Sequence, residues 1–199
     1  MAGVFSVWSS RELVTAVVND KDSGTQRPLD TIRAFRLASG AETAVLVIVG
    51  NGDQMAMLRE AAAGDPRIIF TGWLKDPARI AGLMSISTAM LLPSSHEPWG
   101  AVVNEAMAAG TPVISSDRVG AATELIQDGE NGYLTSVGDV PGIANAIGKL
   151  LTDPQLATGL GKAARATAIA QGEEFAANNL ISGALAATKR RTEESPDAA

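Results

Sequence analysis

Short apolar runs punctuate the first two thirds of the chain: LVTAVVN (13–19), AVLVIVG (44–50), RIIFTG (67–72), AMLLP (89–93), TPVISS (111–116) and a weaker GYLT (132–135). Several are apolar throughout and do not alternate, which is the pattern of strands covered on both faces. Helical segments are expected between them, near 29–38, 54–63, 77–85, 101–109 and 121–127. This strand-then-helix rhythm predicts an α/β fold on a doubly wound, Rossmann-like parallel sheet. In such sheets ligands bind at the carboxyl ends of the strands, where chain order reverses.

The last third changes character. Segments 139–151, 154–172 and 173–190 read as consecutive helices, giving a helical C-terminal region. In the last of them Ala177, Leu180, Ile181, Ala184, Leu185 and Thr188 recur at three- and four-residue steps, a single weakly apolar stripe. The pattern predicts one domain over 13–190, with 1–12 and 191–199 as flexible ends.

Composition narrows the partners. Of the 199 residues 46% are hydrophobic but only 4% aromatic, so the core is built mainly from Ala, Val, Leu and Ile. A net charge of −6, with Lys189-Arg190-Arg191 as the one basic run, argues against nucleic-acid binding. There is no cysteine, hence no disulfide and no thiolate metal site. The sole histidine is His96, and no Asp-x-Asp pair offers a metal site, so no metal is expected. No apolar run approaches the roughly 18 residues of a membrane span. The N-terminus lacks a signal-peptide pattern, and a cytoplasmic location is expected.

The densest chemistry lies in SSHEPWGAVVNEAMAAGTPVISS (94–116). A strand delivers the chain to a loop, and a helix begins near Gly100 to Val102. First-turn helix amides lack intrahelical partners and sit at the positive end of the helix dipole, which suits an anion. Gly100 lets a ligand approach the backbone closely. Glu105, about one turn further on, can accept two hydrogen bonds from a vicinal diol, and Glu97 faces a group beyond the anion. On spacing alone, Glu105 is equally well a solvent-exposed carboxylate and Glu97 a favourable neighbour of the helix dipole.

The same stretch strongly resembles the donor-binding lobe of the large retaining glycosyltransferase family of two-lobed GT-B architecture, group 1 (family 4). That family's pattern is E-x-x-G-x-x-x-x-E-A-M-A-x-G-x-P-V-I. Here it stands as Glu97-Pro98-Trp99-Gly100, Glu105-Ala106-Met107-Ala108, Gly110 and Pro112-Val113-Ile114, and 117–134 resembles its continuation. The resemblance implies that Glu105 binds the ribose hydroxyls of a nucleotide-sugar. It implies that Glu97 holds the transferred sugar near the reacting carbon. Backbone amides at Trp99, Gly100, Ala101 and Val102 would contact sugar and diphosphate, while the side chains of Trp99 and Met107 are expected in the core.

Family members usually carry G-K-L-x-x-x-K-R-P-L-D after the first strand, with both basic residues on the donor diphosphate. In NDKDSGTQRPLD (19–30) Lys21 matches the first basic position, Gln26 occupies the second, Arg27 follows it, and Asp20 replaces the glycine. Lys21 is thereby implied as catalytic and Gln26 and Arg27 as donor-binding, with a solvated surface arginine as the other reading of Arg27. Gly50 and Gly52, after the second strand, are further donor-binding candidates. Trp73, after the third, either stacks on the nucleotide base or packs at the rim or in the core. His96, next to Glu97, either contacts the sugar or is structural or solvated. Glu124 is expected as a helix-end carboxylate, and the turns at Gly129 and Gly132 to serve chain reversal alone.

The resemblance covers roughly residues 13 to 150 and implies a glycosyltransferase acting on a nucleotide-sugar and an acceptor hydroxyl, with retention and without cofactor. Complete enzymes of the family add an N-terminal acceptor lobe, expected to be absent here or to sit on a separate chain. The alternatives are a nucleotide-sugar-binding module that transfers nothing alone, or a subunit of a split transferase. A pure interaction protein fits least well, since docking does not need retained donor ligands.

Overall fold

The computed structural model describes residues 12–18 and 25–172. Expectations for Lys21 and for the segments 1–11 and 173–199 lie outside the described residues.

Six strands form one parallel sheet: β1 (Leu13–Val18), β2 (Val45–Gly50), β3 (Ile68–Gly72), β4 (Ala89–Leu92), β5 (Val113–Ser116) and β6 (Gly132–Thr135). Their order is β3-β2-β1-β4-β5-β6. Each connection contains a helix: α1 (Pro28–Leu37), α2 (Met55–Ala62), α3 (Pro77–Ser85), α4 (Ala101–Ala108) and α5 (Gly120–Leu125). After β6 come α6 (Val140–Thr152) and α7 (154–172). The doubly wound α/β fold is therefore as its strand pattern predicted.

The uninterrupted apolar runs have a direct cause. In β2, Leu46 and Ile48 turn to one face and pack with Ile32, Phe35 and Leu58 of α1 and α2 and Ile147 of α6. Val45, Val47 and Val49 turn to the other face, with Leu83 of α3. Successive side chains point to opposite sides of a strand, so a sheet covered twice needs apolar residues at every position. On the β4–β5 side, Met90, Leu92 and Val113 pack under Val103, Ala106 and Met107 of α4.

GYLT, a weak strand signal, proves to be a full edge strand pairing with β5 from Val113↔Gly132 to Ser116↔Thr135. Gly132 is therefore more than a turn residue: a Cβ there would lie 2.5 Å from the carbonyl oxygen of Val113. Helix α5 stops at Leu125, two residues short of expectation, because Asn131 intervenes. Its amide nitrogen donates to the Leu125 carbonyl at 2.9 Å, and its amide oxygen accepts from Gln127 N at 2.8 Å. That side chain caps the last turn and turns the chain toward β6.

Candidate functional site: a cleft at the switch point of the sheet

Strand order reverses at β1, whose neighbours are β2 on one side and β4 on the other. The loops leaving β1 and β4 part at this point, and a crevice opens between them, as is general for open α/β sheets. Here it is a cleft of about 250 Å³. Val17, Val18 and Leu92 form its floor at the ends of the two strands. Gln26 and Glu97 come from the two loops, Gly100, Ala101 and Val102 from the start of α4, and Trp73 from the loop after β3.

Two sets of backbone bonds fix these loops. Ser95 N and Oγ both donate to the Thr25 carbonyl, at 2.6 and 3.1 Å, tying the β4 loop to the approach of α1. Gln26 is thereby held in the cleft at 8% exposure. On the other side Glu97 N donates to the Arg118 carbonyl, Gly120 N to the Glu97 carbonyl, and Ala121 N to the Trp99 carbonyl. These contacts were not legible in the sequence, because they join segments about 20 or 70 residues apart whose meeting depends on strand order.

Gly100 caps α4 in the left-handed region at φ 87°, a conformation that favours glycine. A Cβ there would stand 2.8 Å from Val119 Cγ1 and 3.2 Å from Glu97 Cγ, so the position is also crowded. Ala101 and Val102, whose amides are among the orphan donors of α4, both line the cleft. Glu97 is half-buried beside them. Glu105 is exposed one helical turn beyond Ala101 on the same face of α4 and is not among the cleft-lining residues.

Other candidates fall elsewhere. The Arg27 guanidinium is held by Asp30, Nε to Oδ2 at 2.6 Å, and Nη2 lies 3.1 Å from the position a Gly138 Cβ would take. Arg27 is not among the cleft-lining residues. Gly50 is buried at the strand ends with φ 116°, and a Cβ there would come 1.9 Å from the Val18 carbonyl oxygen. Its geometry is explained by the close approach of β2 to β1. Gly52 is half-buried in the next loop, where its carbonyl accepts from Met55 N at 3.0 Å and opens α2.

The two tryptophans differ. Trp73 is 59% exposed at the mouth of the cleft, a rim position rather than a core one. Met107 is fully buried as expected, but Trp99 is not in the core. It is 41% exposed and lines an outer depression with Asn104 and Ala108 of α4, Glu124 of α5 and Gln171 of α7. The reason is local: its carbonyl is pinned by Ala121 N, and the chain enters α4 with the indole on the side away from the cleft. His96 is exposed on the loop and does not line the cleft.

Among the described residues no group of three or more His, Cys, Asp or Glu is placed to hold a metal ion. No helix among them is long and apolar enough to cross a membrane.

Known proteins match this arrangement in sequence and in fold. The sequence pattern of the family "Glycosyl transferases group 1" matches residues 22–167. N-acetyl-alpha-D-glucosaminyl L-malate synthase of Bacillus anthracis is 34% identical over 160 residues, 79% of this chain and 40% of that protein. The chain thus spans well under half the length of this curated relative. HepE of Anabaena, solved in complex with UDP, superposes with a TM-score of 0.77 at 23% identity, over 92% of this chain and 51% of that one. The C-terminal domain of the group 1 family protein LpcC from Francisella tularensis superposes at 0.71 and 22% identity, over 80% of this chain and 86% of that domain. The last two likenesses speak for the fold, and the family match speaks for descent. The chain belongs to the group 1 glycosyl transferases.

Proposed function

We propose that this chain supplies the donor-binding lobe of a retaining transferase that moves a sugar from a nucleotide-sugar to an acceptor hydroxyl. One observation carries the reading: the cleft at the switch point gathers Glu97, Gln26 and the start of α4 within one small volume. In this reading the α4 amides hold the diphosphate, Glu105 takes the ribose diol, and Glu97 takes hydroxyls of the transferred sugar. Trp73 stands at the mouth, where the base would lie.

The chemistry asked of such a site is mostly electrostatic. As the bond between the anomeric carbon and the diphosphate oxygen breaks, negative charge grows on the leaving group. The new bond forms to the acceptor oxygen, whose proton is released. Donors fixed in advance at the diphosphate stabilise that charge without reorganising. The amides of Ala101 and Val102 fit this role, and Lys21 is proposed to add the cation. Neither a metal nor another cofactor is required by the proposal, and the reaction is assigned to the cytoplasm.

Because Gln26 puts an uncharged side chain at the cleft, a second reading is favoured by a specific observation. The chain would then be a nucleotide-sugar-binding module, or one subunit of a split transferase, and a separate acceptor lobe would complete catalysis. The two readings separate in a transfer assay with the chain alone. Proton NMR of the product then reads the anomeric configuration: transfer with inversion would contradict retention, and donor binding without turnover would favour the module. UDP-sugars come first in that assay, because the HepE relative of the fold was solved with UDP.

A further inference from the structure

We propose that Gly120 is a positioning residue for the sugar-holding loop, and that the turn 117–120 sets how well the site distinguishes a nucleotide-sugar from the free nucleotide. The proposal rests on the donor-binding reading and assigns the sugar end of that site to a second segment of chain.

The turn leaves β5 at the carboxyl edge of the sheet and runs alongside the loop that follows β4. Glu97 and Val119 pair as a parallel bridge. Glu97 N donates to the Arg118 carbonyl at 3.0 Å, and Gly120 N to the Glu97 carbonyl at 3.0 Å. Ala121 N donates to the Trp99 carbonyl at 2.7 Å. Residues 97 to 99 are thus paired to residues 118 to 121 much as a short extra strand would be.

Gly120 is what allows the approach. A Cβ there would lie 2.2 Å from the Pro98 carbonyl oxygen and 3.3 Å from Trp99 Cα. Both obstacles are backbone, so no side-chain rotation relieves them, and any larger residue must push the Glu97 loop away. Val119 acts from beneath: its Cγ1 is the atom nearest the place a Gly100 Cβ would occupy. The turn therefore grips the loop at both ends, and Glu97 cannot shift independently of it.

The nucleotide end is anchored differently. Ala101, Val102 and Glu105 belong to α4, which is held by Val103, Ala106 and Met107 in the core. A disturbance at Gly120 therefore meets the backbone of Pro98 and Trp99 directly, and reaches the body of α4 only through the core that Val119 and Ala121 share with it. That asymmetry separates a positioning role from a general loss of structure.

The test compares UDP with UDP-glucose binding to the full chain by calorimetry, for wild type and Gly120→Ala. Gly82→Ala is the control, since a Cβ at Gly82 meets nothing within 4 Å. The expected result is a loss of about tenfold or more in UDP-glucose affinity, the scale of one hydrogen bond to a charged group. UDP affinity should be unchanged. Amide hydrogen exchange without ligand should show faster exchange at Glu97 in Gly120→Ala than in wild type. Equal losses for both ligands, no loss for either, or unaltered Glu97 exchange in a folded variant would overturn the proposal. If Gly120→Ala does not fold, Val119→Ala carries the same comparison, with the same split in smaller measure. If wild type binds neither ligand, the donor-binding reading fails, and the exchange measurement still decides whether Gly120 positions the loop.

Discussion

Ser95 and Thr25 are joined twice: the amide and the hydroxyl of Ser95 both donate to the one carbonyl oxygen of Thr25, at 2.6 and 3.1 Å. This pair of hydrogen bonds to a single acceptor is what brings the loop after β4 against the approach of α1 and keeps Gln26 at the cleft. Ser95→Ala removes the hydroxyl half. It should lower stability by about 0.5–1.5 kcal/mol, the usual net worth of an intramolecular hydrogen bond. Urea denaturation of the two proteins reads the difference.

Gln26 invites the opposite experiment. It lines the cleft beside the start of α4 with an uncharged amide. Gln26→Lys places a cation where a diphosphate would lie, and a hydrogen bond to a charged group is worth about 1.5–3 kcal/mol. UDP affinity should rise about tenfold or more. Arg27→Ala should act mainly on stability instead, because it strips the buried Asp30 of its 2.6 Å partner and leaves it, among the described residues, with the more distant ion pair to Arg33 at 3.4 Å. Parallel calorimetry and denaturant titration of the two variants separate these effects.

Gly50 is predicted to tolerate no side chain. With φ 116° and a prospective Cβ 1.9 Å from the Val18 carbonyl oxygen, Gly50→Ala combines backbone strain with a clash between central strands. Together these should cost about 2–5 kcal/mol. Gly82→Ala, in the open on α3, should instead stabilise by about 0.5–1 kcal/mol, the ordinary helix preference for alanine. The two melting temperatures should therefore move in opposite directions.

Acid sensitivity should trace in part to Asp65, between α2 and β3. A hydrogen bond from the Arg67 side chain, aided by the Arg67 amide and the charges of Arg67 and Arg36, lowers its pKa from 3.8 to about 2 against an opposing effect of burial. The carboxyl binds protons more weakly folded than unfolded, so its contribution is present above pH 3.8 and is lost as pH falls toward about 2. The stability difference between wild type and Asp65→Asn should be level at neutral pH and shrink across that window. Denaturant titrations through the acid range read it.

Much of this molecule was legible in its sequence. The strand runs announced a sheet covered on both faces because each of their residues has an apolar face to meet. Glu97, Gly100 and Glu105 stood out because strand, loop and helix follow one another without a break, so their spacing translates directly into space. What stayed hidden depends on segments meeting across the fold. Gly120 reads as an ordinary glycine before a helix until Pro98 is found 2.2 Å from its missing Cβ. Trp99 reads as a core residue until Ala121 fixes its carbonyl and leaves the indole at the surface. Arg27 reads as a spare cation until Asp30 is seen to hold it.

The central claim, that the switch-point cleft takes a nucleotide-sugar, is tested most directly by calorimetric titration of UDP-, GDP- and ADP-sugars in the presence of a metal chelator. Wild type and Glu105→Ala are compared. The account predicts that at least one donor series binds wild type without metal. It further predicts that Glu105→Ala weakens that binding by about tenfold or more, as expected for hydrogen bonds between a carboxylate and a diol. Absence of binding by all three series, or equal affinity in wild type and Glu105→Ala, would contradict it.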